Sequence, residues 1–146
     1  LLARFSDPTV GAVSGNLDIA RSATGSAAGV DAYWKLEKFL RLQESRFVSA
    51  VGCTGAIYAI RKSLFAPLPA DTILDDVIIP MSIAVQGYRV LFEPNAMAWD
   101  PQPLRPQSER QRKRRTIAGS VQALCRYPAW LLPWLGLAFT RRRRAW

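Results

Sequence analysis

Residues 7–19 read Asp7-Pro8-Thr9-Val10-Gly11-Ala12-Val13-Ser14-Gly15-Asn16-Leu17-Asp18-Ile19 and decide the fold. The first three residues predict a turn, because Asp and Pro both favour turn conformations. The apolar run that follows, bounded by glycines, predicts a buried strand. Alternation of polar and apolar residues extends this strand to Ile19. We therefore expect a turn at residues 7–9 followed by a buried strand over residues 10–19.

Outward from this strand, helix and strand patterns alternate along the chain. Residues 30–47 predict an amphipathic helix, with apolar positions that include Trp34, Leu36, Leu40 and Phe47. This alternation indicates an α/β layered domain, and 146 residues suffice for one domain with its own core. We also expect strands over 56–60, 88–92 and 96–99 and a single helical turn near 62–65. A helix over 74–86 should be stopped by Gly87. A last helix should be capped by Ser108 and run to about Arg126, with Ile117, Val121 and Leu124 at helical spacing.

Charge is distributed unevenly. Residues 1–100 hold 9 Lys and Arg against 10 Asp and Glu, whereas residues 101–146 hold 11 against 1. A nearly neutral globular part followed by a basic segment indicates an anionic partner: a nucleotide phosphate, a membrane lipid or a nucleic acid. The chain begins at Leu1 with the pattern of a helix end, so we expect it to be a piece of a longer protein.

The chain contains no His, which excludes Cys/His zinc sites as well as Ser-His-Asp and Cys-His catalysis. Its two cysteines, Cys53 and Cys125, have no metal-ligand spacing. We expect two free buried thiols in a reducing compartment, with a disulfide between them as the alternative.

Two charged clusters are the candidates for chemistry. Asp75 and Asp76 lie at the predicted start of a helix, where a carboxylate can act as a general base or simply stabilise the helix dipole. Adjacent helical residues point about 100° apart, so only one of the two acids can face a given cleft. The run Gln111-Arg112-Lys113-Arg114-Arg115 is either a solvated or membrane-facing helix surface or a diphosphate site, since guanidinium groups bind phosphates bidentately.

The turn Gly52-Cys53-Thr54-Gly55 lacks the Lys and the spacing of a P-loop. Its small residues predict a structural turn that forms a platform beneath a substrate.

These segments, in this order, resemble the processive family 2 glycosyltransferases of the cellulose, hyaluronan and poly-N-acetylglucosamine synthase type. The similarity covers roughly residues 5–126 and rests on residues 7–15, on Gly55-Ala56-Ile57-Tyr58-Ala59-Ile60-Arg61, on Asp75-Asp76 and on the Gln111 cluster. It implies the C-terminal, acceptor-side part of a GT-A domain with a mixed sheet over residues 1–126. An interfacial or membrane-proximal basic tail would then occupy residues 127–146.

The resemblance also implies roles for residues. Leu74-Asp75-Asp76 occupies the place of the family's acidic motif, so that Asp76 would be the catalytic base and Asp75 its supporting neighbour. Gln111 and Arg114 would match the family's Gln-x-x-Arg-Trp motif, with Arg114 on the diphosphate. Arg115 stands where the family has a Trp that stacks on the acceptor, and this departure leaves processivity open. Cys53, Thr54 and Gly55 would lie beside the acceptor.

As substrates, the resemblance implies a nucleotide-sugar donor such as a UDP-sugar and a saccharide or lipid-linked acceptor. Mg²⁺ or Mn²⁺ would be the cofactor, but the family's DxD motif occurs nowhere in these 146 residues, so its ligands would lie upstream. The location would be the cytoplasmic face of the bacterial inner membrane. The Trp-rich stretch 128–139 and Arg141–Arg144 suit a position at lipid headgroups.

Two alternatives without catalysis remain at this point. A basic nucleic-acid-binding module would use the cationic segment with Trp and Tyr as stacking platforms. Its arginines, however, lie beside an apolar tail and do not alternate with aromatic residues along a strand. A membrane-surface module would instead place Arg141–Arg144 on anionic lipid.

Overall fold

The computed structural model describes residues 1–19, 27–101 and 106–130, with side chains over 1–18, 35–101 and 110–130. Within these residues the chain forms a mixed α/β structure, which confirms the predicted class. Its strands are β1 (Val10–Ile19), β2 (Tyr58–Ile60) and β3 (Arg89–Asp100). Its α-helices are α1 (Ala27–Phe47), α2 (Asp75–Ala84) and α3 (Pro106–Arg126), and short 3₁₀ turns cover Leu2–Ser6 and Lys62–Leu64.

The sheet has the order β2-β1-β3 and is mixed, because β1 pairs antiparallel with β2 and parallel with β3. Val13 lies between Ala59 of β2 and Leu91 of β3. Val10 and Val13 are fully buried, as expected for a central strand flanked on both edges. The prediction of a buried strand after the turn at residues 7–9 is confirmed, and this strand, β1, is the central one of the sheet.

The prediction of two separate strands at 88–92 and 96–99 was wrong, because β3 is a single strand. The pairing jumps from Ser14 opposite Phe92 to Asn16 opposite Met97, so that residues 93–96 bulge out of the ladder. This bulge contains Pro94, which has no backbone N–H to donate to a partner strand. At the bulge the backbone of Gly15 approaches the carbonyl oxygen of Ala96 so closely that a Cβ would overlap it.

The end of α1 and the residues after it cover part of the outer edge of β3. The Ser49 Oγ accepts the Val90 N–H at 2.7 Å, and the Ser45 Oγ accepts the Phe92 N–H at 2.8 Å. The Ala50 N–H donates to the Val90 carbonyl at 2.8 Å. Side-chain hydroxyls therefore satisfy backbone groups that another strand would otherwise pair.

Helix α2 supplies the other side of the core. Ile78 and Ile83 are among the most deeply buried side chains, and a Cβ on Gly11 of β1 would overlap Ile83. This contact lets helix and sheet pack closely because glycine has no side chain there. The buried cluster consists of Ala12, Ala50, Cys53, Ile79, Ile83 and Val90.

Helix boundaries differ from the predicted ones by a few residues. Helix α1 begins at Ala27 instead of residue 30, and α2 covers Asp75–Ala84 instead of 74–86. Gly87 does mark the stop after α2, with a positive φ of 93° that favours glycine. The prediction that Ser108 caps α3 was wrong, because α3 begins at Pro106, whose fixed φ suits a first helical position.

The apolar rows of α1 and α3 face away from the sheet. In α1, Leu36, Leu40 and Phe47 are exposed, and Phe47 keeps 91% of its surface accessible. In α3, Ile117, Val121 and Leu124 keep 64%, 55% and 46%. The helical spacing of these residues was predicted correctly, but these rows are exposed. The buried residues are instead Ser45 in α1 and the small Gly119 and Ala123 in α3. No helix of the described residues is long and apolar enough to cross a membrane.

The side chain of Arg61 joins the first turn of the chain to the sheet. Its guanidinium donates to the carbonyls of Phe5, Asp7 and Val10 at 2.9, 2.8 and 2.6 Å. It also lies 5.4 Å from the centre of the Phe5 ring. Hydrogen bonds from a charged donor stabilise more than neutral ones. The Arg61 guanidinium therefore fixes residues 5–7 against the start of β1.

We expect Arg61→Met to lower the free energy of unfolding by about 2–3 kcal/mol, because three backbone carbonyls lose a charged donor. Urea denaturation measures the change. The matched control is Lys62→Met at the exposed neighbouring residue, for which we expect a change within about 0.5 kcal/mol. Equal effects of the two substitutions would contradict a specific role for Arg61.

Candidate functional site

The position of Asp76 depends on a proline one turn later. Pro80 is fully buried inside α2 and has no N–H, so the Asp76 carbonyl receives no helical hydrogen bond from residue 80. The Cys53 N–H donates to that carbonyl instead, at 2.9 Å. The loop after α1 is thereby held against the first turn of α2.

A second bond holds the same loop against β1. The Thr54 N–H donates to the Ser14 Oγ at 2.9 Å, and the Ser14 hydroxyl donates to the Gly15 carbonyl at 3.1 Å. Ser14 is fully buried and Thr54 nearly so. A Cβ on Gly55 would stand 3.3 Å from the Asp76 Oδ2. The predicted small-residue segment Gly52–Gly55 therefore lies beside the Asp76 carboxylate.

The turn, β1, α1, α2 and α3 together line one cleft of about 180 Å³. Asp76 is on its wall, whereas Asp75 is exposed and does not line it. The lining residues are Gly15, Asn16, Leu17, Glu37, Lys38, Arg41, Cys53, Thr54, Gly55, Ala56, Asp76, Phe92 and Arg112. One cleft therefore holds a carboxylate, a guanidinium from the cationic cluster and polar groups from α1.

The Asp76 carboxyl is destabilised in its ionised form. Burial raises its pKa above the ordinary 3.8, the charge of Asp75 raises it further, and Arg115 and Arg41 act against this rise. Its Oδ1 is buried without a hydrogen-bond partner among the described residues. A carboxylate that is partly desolvated and short of donors readily accepts a hydrogen bond or a proton from a hydroxyl group.

Two cations of the cluster, Arg112 and Arg115, are associated with the cleft or with this carboxyl. Arg112 lines the cleft, and Arg115 lies near enough to lower the pKa of Asp76 while its Nη2 donates to the Ile73 carbonyl at 3.0 Å. Gln111, Arg114 and Arg115 are all exposed and are not part of the cleft lining, but only Arg115 of these three lowers the pKa of Asp76. The spacing of 112 and 115 places both on one helical face, whereas 114 points elsewhere.

Cys53 and Cys125 are both free, as expected, but only Cys53 is buried. Burial raises the pKa of the Cys53 thiol to about 12. The thiol is therefore neutral at physiological pH, and the role of Cys53 in the cleft is to pack and to donate its backbone N–H.

The contribution of α1 was missed in the sequence. Glu37, Lys38 and Arg41 line the cleft, and Arg41 bonds Glu37 at 2.9 Å across one helical turn. Lys38 lies 3.5 Å from Asp18 of β1. The available signal was the Glu-to-Arg spacing of four residues on a helix already predicted, but such pairs are also common on solvated faces.

Asn16 was missed as well. It lines the cleft, and its Oδ1 is a second buried acceptor without a partner in the described part of the chain. Asn16 and Asp76 thus line the same cleft, and each has one buried oxygen without a hydrogen-bond partner among the described residues.

The described residues contain no group of three His, Cys, Asp or Glu side chains that could hold a metal ion. Among the described residues, Asp76 and Glu37 are the only carboxylates on the cleft wall. These residues do not by themselves fit a divalent cation site.

Of the predicted tail, only residues 127–130 are described, with Tyr127 and Trp130 stacked at 4.3 Å between ring centres. Residues 131–146, including Arg141–Arg144, lie outside the described residues.

No protein-family model matches this chain, and no curated protein sequence matches it either.

The pKa values of Asp71 and Asp76 should be shifted in opposite directions from the ordinary value of an aspartate. The hydrogen bond and charge of Arg126 lower the pKa of Asp71, whereas burial raises that of Asp76. We expect carboxyl ¹³C resonances to show Asp76 titrating above 3.8 and Asp71 below it. The proton on Asp76 is held more tightly in the folded state, so Asp76 makes the chain lose stability as the pH rises from the unfolded pKa through the folded one.

Asp76→Asn should remove this loss. The difference in free energy of unfolding between variant and wild type should therefore shift in favour of the variant as the pH rises through that window. A difference that stays constant with pH would contradict a raised pKa for Asp76.

Proposed function

We propose that this chain is the acceptor-side part of an inverting glycosyltransferase with a GT-A fold, similar to family 2. The observation that carries the proposal is the half-buried Asp76 carboxylate, which shares a cleft with Arg112 and has Arg115 nearby. A base beside cations suits a reaction in which a hydroxyl loses a proton while a diphosphate departs.

In the proposed step the Asp76 carboxylate takes the proton of an acceptor hydroxyl. The hydroxyl oxygen forms a bond to the anomeric carbon of the donor sugar, and the bond from that carbon to the diphosphate oxygen breaks. The electron pair leaves with the nucleoside diphosphate, and attack opposite the leaving group inverts the anomeric configuration. General-base assistance of this kind contributes about 10²–10⁴-fold to the rate.

Each neighbour of Asp76 has a physical role in this proposal. The negative charge of Asp75 and the burial of the site strengthen the base by raising its pKa. Arg112 and Arg115 would offset the charge of the departing diphosphate. Thr54, Gly55 and Asn16 line the same cleft and would contact the acceptor sugar.

The donor in this proposal is a nucleotide-sugar such as a UDP-sugar, and the acceptor is a saccharide or a lipid-linked saccharide. When bound, Mg²⁺ or Mn²⁺ would neutralise diphosphate charge, with ligands outside the described residues. Nothing in the role of Asp76 depends on that ion.

The proposed site of action is a membrane surface, the cytoplasmic face of the bacterial inner membrane. The exposed Ile117, Val121 and Leu124 of α3 support it, since the same helix carries exposed cations. An apolar row with neighbouring arginines is the pattern of a helix that lies at an anionic lipid interface.

Asp76→Asn in the intact protein should reduce turnover of a UDP-sugar at least about 10²-fold, because the base is lost. Binding of UDP, measured by calorimetry, should survive. The matched control is Asp75→Asn, the same change at the exposed neighbour outside the cleft. We expect a much smaller loss from it, since it removes only a charge that strengthens the base. Full turnover by Asp76→Asn would exclude Asp76 as the base.

Three arginines of one helix allow the diphosphate site to be located. We expect Arg112→Met and Arg115→Met each to weaken UDP binding about 10- to 100-fold, as loss of a charged hydrogen bond of about 1.5–3 kcal/mol predicts. Arg114→Met should change it much less, because Arg114 neither lines the cleft nor is among the charges that act on Asp76. A largest loss at Arg114 would instead favour the assignment implied by the family motif.

A further inference from the structure

One face of α3 forms hydrogen bonds to Asp71 and Ile73, which lead into α2. The side chain of Gln122 accepts the Ile73 N–H at 3.0 Å and donates to the Asp71 carbonyl at 2.8 Å. One turn further, the two terminal nitrogens of Arg126 bond the two carboxylate oxygens of Asp71 at 3.2 and 2.6 Å. Two turns before Gln122, the Arg115 side chain donates to the Ile73 carbonyl at 3.0 Å.

Close packing accompanies these bonds. Gly119 is buried on the same face, and a Cβ there would overlap the side chain of Leu74. Residues 115, 119, 122 and 126 recur at spacings of three and four, which is one continuous face of a helix. We call this face the clamp: Arg115, Gly119, Gln122 and Arg126.

The clamp is the principal attachment of α3 within the described residues, because α3 does not pack broadly on the sheet, on α1 or on α2. The segment it holds, Asp71–Leu74, runs directly into Asp75 and Asp76. The rotation and position of α3 relative to Asp76 are therefore set at the clamp. Arg112, one turn before Arg115, is placed in the cleft by the same rotation.

We propose that Gln122 is a positioning residue which, by bridging the peptide groups of Asp71 and Ile73, holds the arginines of α3 at a fixed place beside Asp76. Its amide is suited to this bridge because it offers one acceptor and one donor at the end of a single side chain. Its consequence for catalysis rests on the function proposed above, whereas its consequence for the site geometry does not.

The test replaces Gln122 by Met, which keeps the length of the side chain and removes both hydrogen bonds. Arg115 lowers the pKa of Asp76 in the wild-type chain, so release of α3 should raise that pKa further. The readout is the ¹³C titration of the Asp76 carboxyl in the full chain. The control is Ser120→Ala on the same helix, whose exposed hydroxyl bonds the Thr116 carbonyl within α3, and it should leave the titration unchanged.

A double-mutant cycle separates positioning from a general loss of structure. In an Arg115→Met background the charge that Gln122 positions is absent, so Gln122→Met should then produce little further shift. An equal shift in both backgrounds, or none in the single variant, would overturn the proposal. If Gln122→Met fails to fold, Arg126→Gln loosens the exposed end of the clamp and should shift the titration in the same direction; no shift in that variant would also overturn it.

Turnover provides the second arm. In the intact protein, Gln122→Met should lower kcat about 10- to 100-fold, since small displacements of catalytic groups cost that much. The acid limb of its pH profile should move to higher pH together with the pKa of Asp76. A shifted titration without any sugar transfer by the wild-type protein would support the clamp and refute the proposed function. An unshifted Asp76 titration in Gln122→Met, together with sugar transfer by the wild-type protein, would support the proposed function and refute the clamp.

Discussion

The hydrogen bond from the Cys53 N–H to the Asp76 carbonyl holds the candidate site together. Helical geometry would normally reserve that carbonyl for the N–H of residue 80, and proline at that place leaves it free. The loop after α1 takes the vacant acceptor and is brought against the start of α2. Gly55 then lies beside the Asp76 side chain, and the bond from Thr54 to Ser14 extends the same connection to the central strand. Backbone, loop and sheet thus meet at one carboxylate.

Much of the secondary structure could be predicted from the sequence, because it depends on local patterns of residues. The glycine-bounded apolar run predicted the buried strand β1, and Gly87 marked the stop of α2. The prediction that only one of two adjacent aspartates can face a cleft followed from helical geometry, and Asp76 is the one that does. The roles assigned to these residues by the family resemblance remain predictions.

What could not be predicted depends on contacts between distant segments. The rotation of α3 is set by the close contact of Gly119 with Leu74 and by the bonds of Gln122, 49 and 51 residues away in sequence from their partners. That rotation decides that Arg112 lines the cleft and Arg114 does not. Side chains such as Ser45 and Gln122 make the long-range bonds of α1 and α3, while the apolar rows of both helices are exposed. Periodicity shows that a helix has two faces but does not show which one packs.

The contrast between the two cysteines has a practical consequence. Cys53 is shielded and its thiol keeps its proton, whereas Cys125 is exposed on α3. A maleimide dye or spin label added to the native chain will therefore attach at one place, on the helix that carries the arginines, without entering the cleft. The protein in its natural sequence already offers a reporter of how that helix moves relative to the sheet.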